Sequence, residues 1–259
     1  MTIRHDGLLV DWLGYATTRL EASDGTVVYL DPGRYGVLSG EWTSPGDSDL
    51  PHPAPQNDYP KDGDLVCVTH DHHYDTDAIQ RVASQEATVV VYEGVDAANI
   101  DRDVTPVDEL PYEIVRVTDE DHLSAAGVDC WTVAAYNDPD GPRADADGSV
   151  THPPGFGCGF LLSVGDVTVF WPGDSDALDG FAELDVSLFL ANIGGTVVSD
   201  RHEAADLAER MDPDLVLPVH YNTIDILTTD SGAFAADVAG RGVPVVLDEK
   251  SGRRNQFRS

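Results

Sequence analysis

The chain has 259 residues, 41% of them hydrophobic, so it is long enough to bury one large core. No linker rich in Pro, Gly or Ser divides it, and we predict a single domain over residues 1–259. The net charge is −32, with 36 Asp and 11 Glu against 13 Arg and 2 Lys. Concentrated salt screens such self-repulsion, so the composition predicts a salt-rich cytosol, as in a halophile. At ordinary ionic strength it also disfavours nucleic acid as a partner, although salt weakens that argument.

The sequence contains no run of 18 apolar residues, and its first six residues lack the apolar stretch of a signal peptide. The three cysteines, Cys67, Cys130 and Cys158, are odd in number and form no CxxC pair. This usage is typical of a reducing compartment. We therefore expect a cytoplasmic protein with no membrane partner and no structural disulfide.

Short apolar or alternating runs predict two series of strands. The first covers 8–13, 26–30, 65–68, 88–92, 113–117 and 128–135; the second covers 159–164, 167–171, 186–190, 215–219 and 243–247. Helices are predicted over 76–84, 201–211 and 231–239. At the second helix Asp200 can be the N-cap and Glu203 completes a capping box, which leaves His202 on an exposed first turn. Along the chain, a run of strands is followed by alternating strands and helices, and this order occurs twice. The pattern predicts two packed sheets with helices outside.

The main chemical signal is the segment Thr69–Thr76, Thr-His-Asp-His-His-Tyr-Asp-Thr, which directly follows a predicted strand. Residues at i and i+2 of an extended segment project to the same side, so His70 and His72 can converge on one ion. Imidazole and carboxylate suit Zn, Mn or Fe, and the absence of a Cys pair argues against a zinc finger. The alternative is a polar loop whose side chains cap the next helix, with Asp75 as a plain N-cap.

Three further segments supply matching side chains. Asp174 follows the strand predicted over 167–171, and His220 follows the strand predicted over 215–219. His152 leads from an acidic loop toward the strand at 159–164. Singly, these three could be a turn residue, a core histidine and a loop residue. Together they predict ligands that gather along one rim of the sheets.

This ordered set of motifs resembles the metallo-β-lactamase superfamily. The motifs are Thr-His-x-His followed by Asp (69–75), Ala-Tyr-Asn (135–137), His-Pro (152–153), Gly-Asp (173–174) and Pro-Val-His-Tyr (218–221). Trp-Leu-Gly (12–14) and Leu-Asp-Pro (30–32) make the chain most similar to the branch that contains the ascorbate-6-phosphate lactonase-like hydrolases.

The resemblance implies an α/β fold, the four-layer αββα sandwich, with one or two divalent metal ions at the sheet edges. Zinc is the first expectation for the metal, and Mn or Fe are alternatives. Carried over position by position, the first metal would be held by His70, His72 and His152. The second would be held by Asp75, Asp174 and His220, with Asp174 bridging the two.

The sequence departs from the family pattern at the second metal. The pattern is His-x-His-x-Asp-His, whereas here one residue is inserted and Thr76 occupies the final His position. His73 is the nearest spare imidazole, and a bulge could turn it toward the second metal. Otherwise His73 faces solvent or caps the helix, leaving one tight metal. Tyr15 also stands where this branch often has a His after Trp-Leu-Gly.

The implied activity is hydrolysis of a small ester, lactone or phosphoester by a metal-bound hydroxide. We predict Asp75 as the catalytic residue that orients this hydroxide or accepts its proton, with Asp31 and Tyr221 as supports behind the ligands. One alternative is a phosphodiesterase or nuclease of the same fold. Another is a non-catalytic metal-binding protein whose second site has degraded.

Overall fold

Two β-sheets form the centre of the fold in this computed structural model, which describes residues 2–34, 36–39 and 59–249. Within these ranges, the first sheet has seven strands that lie side by side in chain order. Strands β1 to β4 are antiparallel neighbours, and β4 to β7 are parallel. The strands are β1 (Ile3–His5), β2 (Leu8–Gly14), β3 (Thr17–Glu21), β4 (Val27–Leu30), β5 (Gly63–Val68), β6 (Ala83–Tyr92) and β7 (Glu113–Val117).

The second sheet holds six strands of the described chain in the order β13-β12-β11-β10-β9-β8. Strands β8 to β11 are antiparallel neighbours, and β11 to β13 are parallel. The strands are β8 (His122–Ala125), β9 (Val128–Ala135), β10 (Gly157–Val164), β11 (Val167–Trp171), β12 (Leu188–Asn192) and β13 (Leu215–Val219).

Three α-helices and several short 3₁₀ turns connect the strands in the described ranges. The helices are α1 (Thr76–Val82), α2 (Arg201–Met211) and α3 (Ser231–Gly240). The 3₁₀ turns cover Asp71–His73, Ala97–Asn99, Val107–Glu109, Asp179–Glu183 and Asp225–Leu227. Helix α2 begins with the predicted capping box, in which Asp200 accepts from the amide of Glu203 and the Glu203 side chain accepts from the amide of Asp200. His202 is exposed on its first turn, as expected.

One continuous cluster of buried apolar side chains includes residues of both sheets and of all three helices. The carboxyl-terminal parts of the interior strands β5 and β6, residues 65–68 and 87–92, are buried and apolar apart from Thr88, because the sheet is covered on both faces there. This arrangement confirms the predicted α/β sandwich. Cys67, Cys130 and Cys158 are free and buried. Among the described residues, no helix is both long and apolar enough to cross a membrane.

Several elements differ from the predictions. Strands β1, β3 and β8 were not predicted, because they are short or carry polar and half-buried residues. The strand predicted over 243–247 is reduced to one bridge between Val216 and Val245, next to Pro244, which lacks an amide donor. Helix α1 is shorter than predicted because β6 already begins at Ala83.

The strand ends bring the polar motifs to one place. Strands β4 and β5 run parallel and end at Leu30 and Val68, immediately before Asp31 and Thr69. In the other sheet, β11 and β13 share the direction of β12 and end just before the loops that carry Asp174 and His220. The carboxyl ends of parallel strands meet at the same edge of a sheet, so the fold collects these side chains at the rim.

Candidate metal centre

The loop after β5 presents three histidines through a tight 3₁₀ turn. His70 is still extended, with φ −167° and ψ 176°, and the turn follows over Asp71–His73. The amide of His73 donates to the carbonyl of His70 at 3.1 Å, which closes the turn. The ring of His70 then lies 5.0 Å from that of His72 and 4.3 Å from that of His73, centroid to centroid. The predicted strand alternation is wrong here, because a turn, rather than an extended segment, aims the rings.

Four side chains form what we name the first group: His70, His72, His152 and Asp174. Their candidate ligand atoms all lie within 4.8 Å of one another. His72 Nδ1 is 3.2 Å from His152 Nε2, and His152 Nε2 is 3.4 Å from Asp174 Oδ2. All are buried except His72, which is half-buried. The structure thus brings together the three histidines predicted for the first metal, and Asp174 with them.

The second group consists of His73, Asp174 and His220, whose candidate ligand atoms also lie within 4.8 Å of one another. Asp174 Oδ1 is 3.2 Å from His220 Nε2 and 3.7 Å from His73 Nε2. All three side chains are buried. His73 therefore points into the cluster, which is the first of the two alternatives that the inserted residue left open.

Asp174 belongs to both groups and turns a different oxygen to each. Its Oδ2 faces His152 and His70, at 3.4 and 3.7 Å, while its Oδ1 faces the second group. The preceding Gly173 has a φ of 64°, and a Cβ there would lie 2.5 Å from the carbonyl oxygen of Cys158. Only glycine fits that turn, so the sequence Gly-Asp determines where the carboxylate is placed.

Asp31 supports the cluster from behind. Its fully buried carboxylate accepts hydrogen bonds from the amide and hydroxyl of Thr69, at 2.8 and 2.9 Å, and from Trp171 Nε1 at 2.7 Å. His73 Nδ1 lies 2.9 Å from the same carboxylate. The Thr69 hydroxyl is in turn 2.8 Å from His70 Nδ1. The sequence suggested Asp31 as a support behind the ligands, and in the structure it is the common anchor of three segments.

Burial and mutual proximity set the protonation of the cluster. Burial, reinforced by the neighbouring histidines, lowers the pKa of His70 well below its ordinary value and that of His72 to about 3. Burial also lowers the pKa of His152. At His73 burial acts in the same direction, but the carboxylates of Asp31 and Asp174 outweigh it and raise the pKa. Burial would raise the pKa of Asp174, yet His220 and His73 beside it hold that pKa well below its usual range.

Asp75 lies outside both groups, although the motif implied a ligand and catalytic role for it. Its carboxylate is the N-cap of α1, where Oδ1 accepts from the amide of Ala78 at 3.2 Å. Its Oδ2 is 3.7 Å from Arg102 Nη1. The extra residue in the motif is absorbed by the 3₁₀ turn, which moves His73 into the cluster and leaves Asp75 to begin the helix. Thr76 is the first residue of that helix and also takes no part in either group.

Comparison with known proteins agrees with this geometry. Residues 9–220 match the family model described as the beta-lactamase superfamily domain, and the chain belongs to the metallo-β-lactamase superfamily. It is 27% identical over 255 residues to a metal-dependent hydrolase from Pyrococcus furiosus, covering 92% of this chain and 95% of that protein.

Solved structures share the fold. A metallo hydrolase from Ignicoccus hospitalis superimposes with a TM-score of 0.63 at 16% identity, covering 93% of this chain and 95% of the other. An isothiocyanate hydrolase from Delia radicum gut bacteria gives a TM-score of 0.65 at 17% identity, with coverages of 92% and 95%. At these identities the likeness supports the fold, the metallo-β-lactamase fold with two mixed sheets and helices.

Proposed function

We propose that this chain is a hydrolase that holds two divalent metal ions, one in each group, with Asp174 shared between them. The observation that carries the proposal is the orientation of the Asp174 carboxylate, whose two oxygens face different sets of histidines. A carboxylate so placed can bind one ion through each oxygen. The family membership of the chain supports the same assignment.

The polar atoms at the centre fit such ions. His70 Nε2, His73 Nε2 and Asp174 Oδ1 are buried and have no hydrogen-bond partner in the part of the chain that the structure describes. An unsatisfied buried polar atom costs about 1–3 kcal/mol, so several at one point call for a ligand. Neutral imidazole nitrogens and a carboxylate are electron-pair donors, which a cation satisfies and an anion does not.

Zinc suits this donor set, because imidazole and carboxylate are its usual ligands in catalytic sites; manganese and iron are alternatives. A bound ion of this kind lowers the pKa of a coordinated water to around 7 and polarises an oxygen of the substrate. The low pKa values of His70 and His72 keep their rings neutral and available as ligands near neutral pH.

We infer that the substrate approaches the site from the side of His72 and Phe156. His72 is the half-buried member of the first group, and Phe156 is half-buried beside it. The Phe156 ring lies 5.2 Å from the ring of His72 and 5.5 Å from that of His70. It forms an apolar wall beside the first group. The proposed substrate therefore has an apolar portion next to its reacting carbonyl or phosphoryl group.

The proposed substrate is a small ester, lactone or phosphoester, as in the ascorbate-6-phosphate lactonase-like branch. One of the solved structures with this fold is named an isothiocyanate hydrolase, so isothiocyanates, which also have an electrophilic carbon, are further candidate substrates. A nuclease is disfavoured by the net charge of −32. A degraded second site is disfavoured by the position of His73, which supplies an imidazole where Thr76 cannot.

We also propose that the protein works in the cytoplasm of a cell rich in salt. The charge of −32 with only two lysines supports this, because the repulsion among carboxylates requires screening. A melting series in KCl tests it directly, and the melting temperature should rise steeply from dilute buffer to molar KCl. A flat series would contradict the proposal.

The hydrolase proposal is tested on protein purified in high salt, stripped with a chelator and titrated with zinc, manganese or ferrous iron. We expect two metal equivalents per chain and turnover of at least one member of a panel of lactones, thioesters, phosphodiesters and isothiocyanates. Chelator should abolish the turnover, and added metal should restore it. Binding of fewer than two equivalents would refute the two-metal site, and metal binding without turnover across the panel would favour the non-catalytic alternative.

A further inference from the structure

His152 is tied to Asn137 at three points. Asn137 is fully buried in the segment after β9, and its Oδ1 lies 3.1 Å from the backbone nitrogen of His152 and 3.2 Å from its ring Nδ1. The backbone N–H of Asn137 also donates to the backbone carbonyl of His152 at 2.7 Å. Among the described residues, the ring Nδ1 has one more hydrogen-bond contact, to the carbonyl oxygen of Val197 at 3.0 Å. These contacts fix both the backbone and the ring of His152.

The contacts also select a tautomer. The neighbours of His152 Nδ1 are both carbonyl oxygens, which can only accept a hydrogen bond. Nδ1 therefore carries the ring proton, and the lone pair of Nε2 is left facing the first group. The other tautomer would set the Nδ1 lone pair against two carbonyl oxygens and direct an N–H at the ligands.

Asp176 determines which way the Asn137 amide faces. Asn137 Nδ2 lies 3.0 Å from Asp176 Oδ1 and 3.1 Å from the carbonyl oxygen of Val197. Turning the amide by 180° would place its oxygen against the carboxylate and its NH₂ group against the N–H groups of His152. All four hydrogen bonds of the side-chain amide would be lost, and the buried backbone nitrogen of His152 would lose its acceptor, at about 1–3 kcal/mol.

Arg143 holds Asp176 in turn. Its side chain is 7% exposed, and its Nη1 lies 2.9 Å from Asp176 Oδ1. Its Nε donates to the carbonyl of Val198 at 2.6 Å, and its Nη2 donates to Glu203. Glu203 belongs to the capping box of α2. A continuous chain of hydrogen bonds therefore runs from the N-terminus of α2 to the imidazole of His152.

We propose that Asn137 is a positioning residue, which selects the Nδ1–H tautomer of His152 and is itself oriented by Asp176 and Arg143. The proposal rests on the proposed function in one respect, that His152 Nε2 binds a metal ion. The tautomer is a property of the metal-free protein. Partners behind a metal-binding histidine orient it, and their loss costs about 10–100-fold in metal affinity.

The experiment measures the ring nitrogens of ¹⁵N-histidine-labelled, metal-free protein by NMR, with the His152 signals assigned from the variant His152→Asn. In the wild type, His152 should give the spectrum of the Nδ1–H tautomer. In Asn137→Leu and, to a smaller extent, Asp176→Asn, the Nε2–H tautomer should appear. Zinc affinity of the same proteins, measured by competition with a chelator, should fall by about 10–100-fold.

Thr132→Val is the matched control. Thr132 is buried in β9, and its hydroxyl donates to the carbonyl of Thr118 at 2.6 Å, so this variant also loses a hydrogen bond of a buried side chain. It should lower the melting temperature without changing the tautomer of His152 or the zinc affinity. An Nε2–H tautomer in the wild type, or an unchanged tautomer in folded Asn137→Leu, would overturn the proposal. If the wild type binds no zinc while the tautomer still responds to Asn137→Leu, the proposed function fails and the tautomer selection stands.

Discussion

The first and second groups share Asp174 but have different supports. In the first group, His152 Nδ1 faces the neutral oxygens of Asn137 and Val197. In the second, His73 Nδ1 lies 2.9 Å from the buried carboxylate of Asp31. Burial lowers the pKa of His152, whereas at His73 the carboxylates of Asp31 and Asp174 overcome burial and raise it. The two groups have similar candidate donor atoms, but in the described part of the chain only the second has a carboxylate behind its histidine. A proton therefore competes more strongly with a metal ion for His73 than for His152.

The largest expected effect comes from the residue that the two groups share. Asp174→Ala removes the carboxylate that faces both, so we expect the loss of both metal equivalents. Loss of a residue that supports a metal ligand costs up to about 100-fold in activity, so loss of the shared ligand itself should lower the rate of hydrolysis by more than that. Metal analysis after gel filtration and steady-state kinetics measure the two quantities.

Asp166→Ala is the control for this prediction. Asp166 is an exposed residue in the turn between β10 and β11, at the opposite end of β11 from Asp174. This variant should retain both metal equivalents and normal activity. If Asp174→Ala kept one tightly bound ion, the carboxylate would belong to one group alone and the bridging arrangement would be incorrect.

His73→Ala separates the two groups. The second group loses one of its two imidazoles, while the first group retains all of its members, so about one metal equivalent should be lost. Metal content and circular dichroism are measured together, because removal of His73 also leaves the buried Asp31 with one hydrogen bond fewer. His202→Ala, at an exposed histidine on α2, is the control and should retain both equivalents. Full metal content and activity in His73→Ala would show that His73 does not replace the ligand missing at Thr76.

Asp31→Asn tests whether the negative charge behind His73 distinguishes the second group from the first. The variant keeps the size of the side chain but removes the charge that faces His73, and we expect about 10–100-fold weaker binding of one ion. Unfolding should also become easier by about 1.5–3 kcal/mol, the usual contribution of a hydrogen bond to a charged group. Chelator competition and denaturant titration measure the two effects.

The control for Asp31→Asn is Asp64→Asn. Asp64 lies near the start of β5, and its carboxylate accepts from the amide of Val27 at 2.9 Å. The loss of that hydrogen bond should lower the stability of the fold without weakening the binding of either metal ion. Asp31→Asn could instead weaken the binding of both metal ions equally. That result would mean that Asp31 supports both groups, through Thr69 and His70, and not the second group in particular.

Most of the strands, and most of the polar residues at their ends, could be predicted from the sequence. The apolar runs located most strands, and polar residues directly after them marked the strand ends that gather at the rim. For this reason His70, His72, His152, Asp174 and His220 were all identified, although up to 150 residues separate them. These predictions depend on chain direction and strand ends, which short-range patterns encode well.

The local path of the chain at the motif could not be predicted in the same way. Whether His73 faces the cluster depends on the 3₁₀ turn over Asp71–His73. That turn is stabilised by tertiary contacts, among them the hydrogen bond between His73 and Asp31, which lies 42 residues earlier. No periodicity within the motif reports such a contact. The same limit explains why the sequence identified Asn137 only as part of a motif, since its proposed role depends on contacts with Asp176 and Arg143.

Asp75 is where the motif and the structure differ most, and it carries the smallest expected effect. The carboxylate caps α1, and Asn is an equally good N-cap, so Asp75→Asn should keep the stability, both metal equivalents and the activity. Asp75→Ala removes the cap and should cost about 0.5–2 kcal/mol of unfolding free energy while leaving the metal content unchanged. Denaturant titration and metal analysis of the two variants decide the question. The loss of one metal equivalent, or a tenfold fall in activity, in a stable Asp75→Asn variant would restore Asp75 to the ligand and catalytic role that the family motif implied, and would mean that the loop rearranges when metal binds.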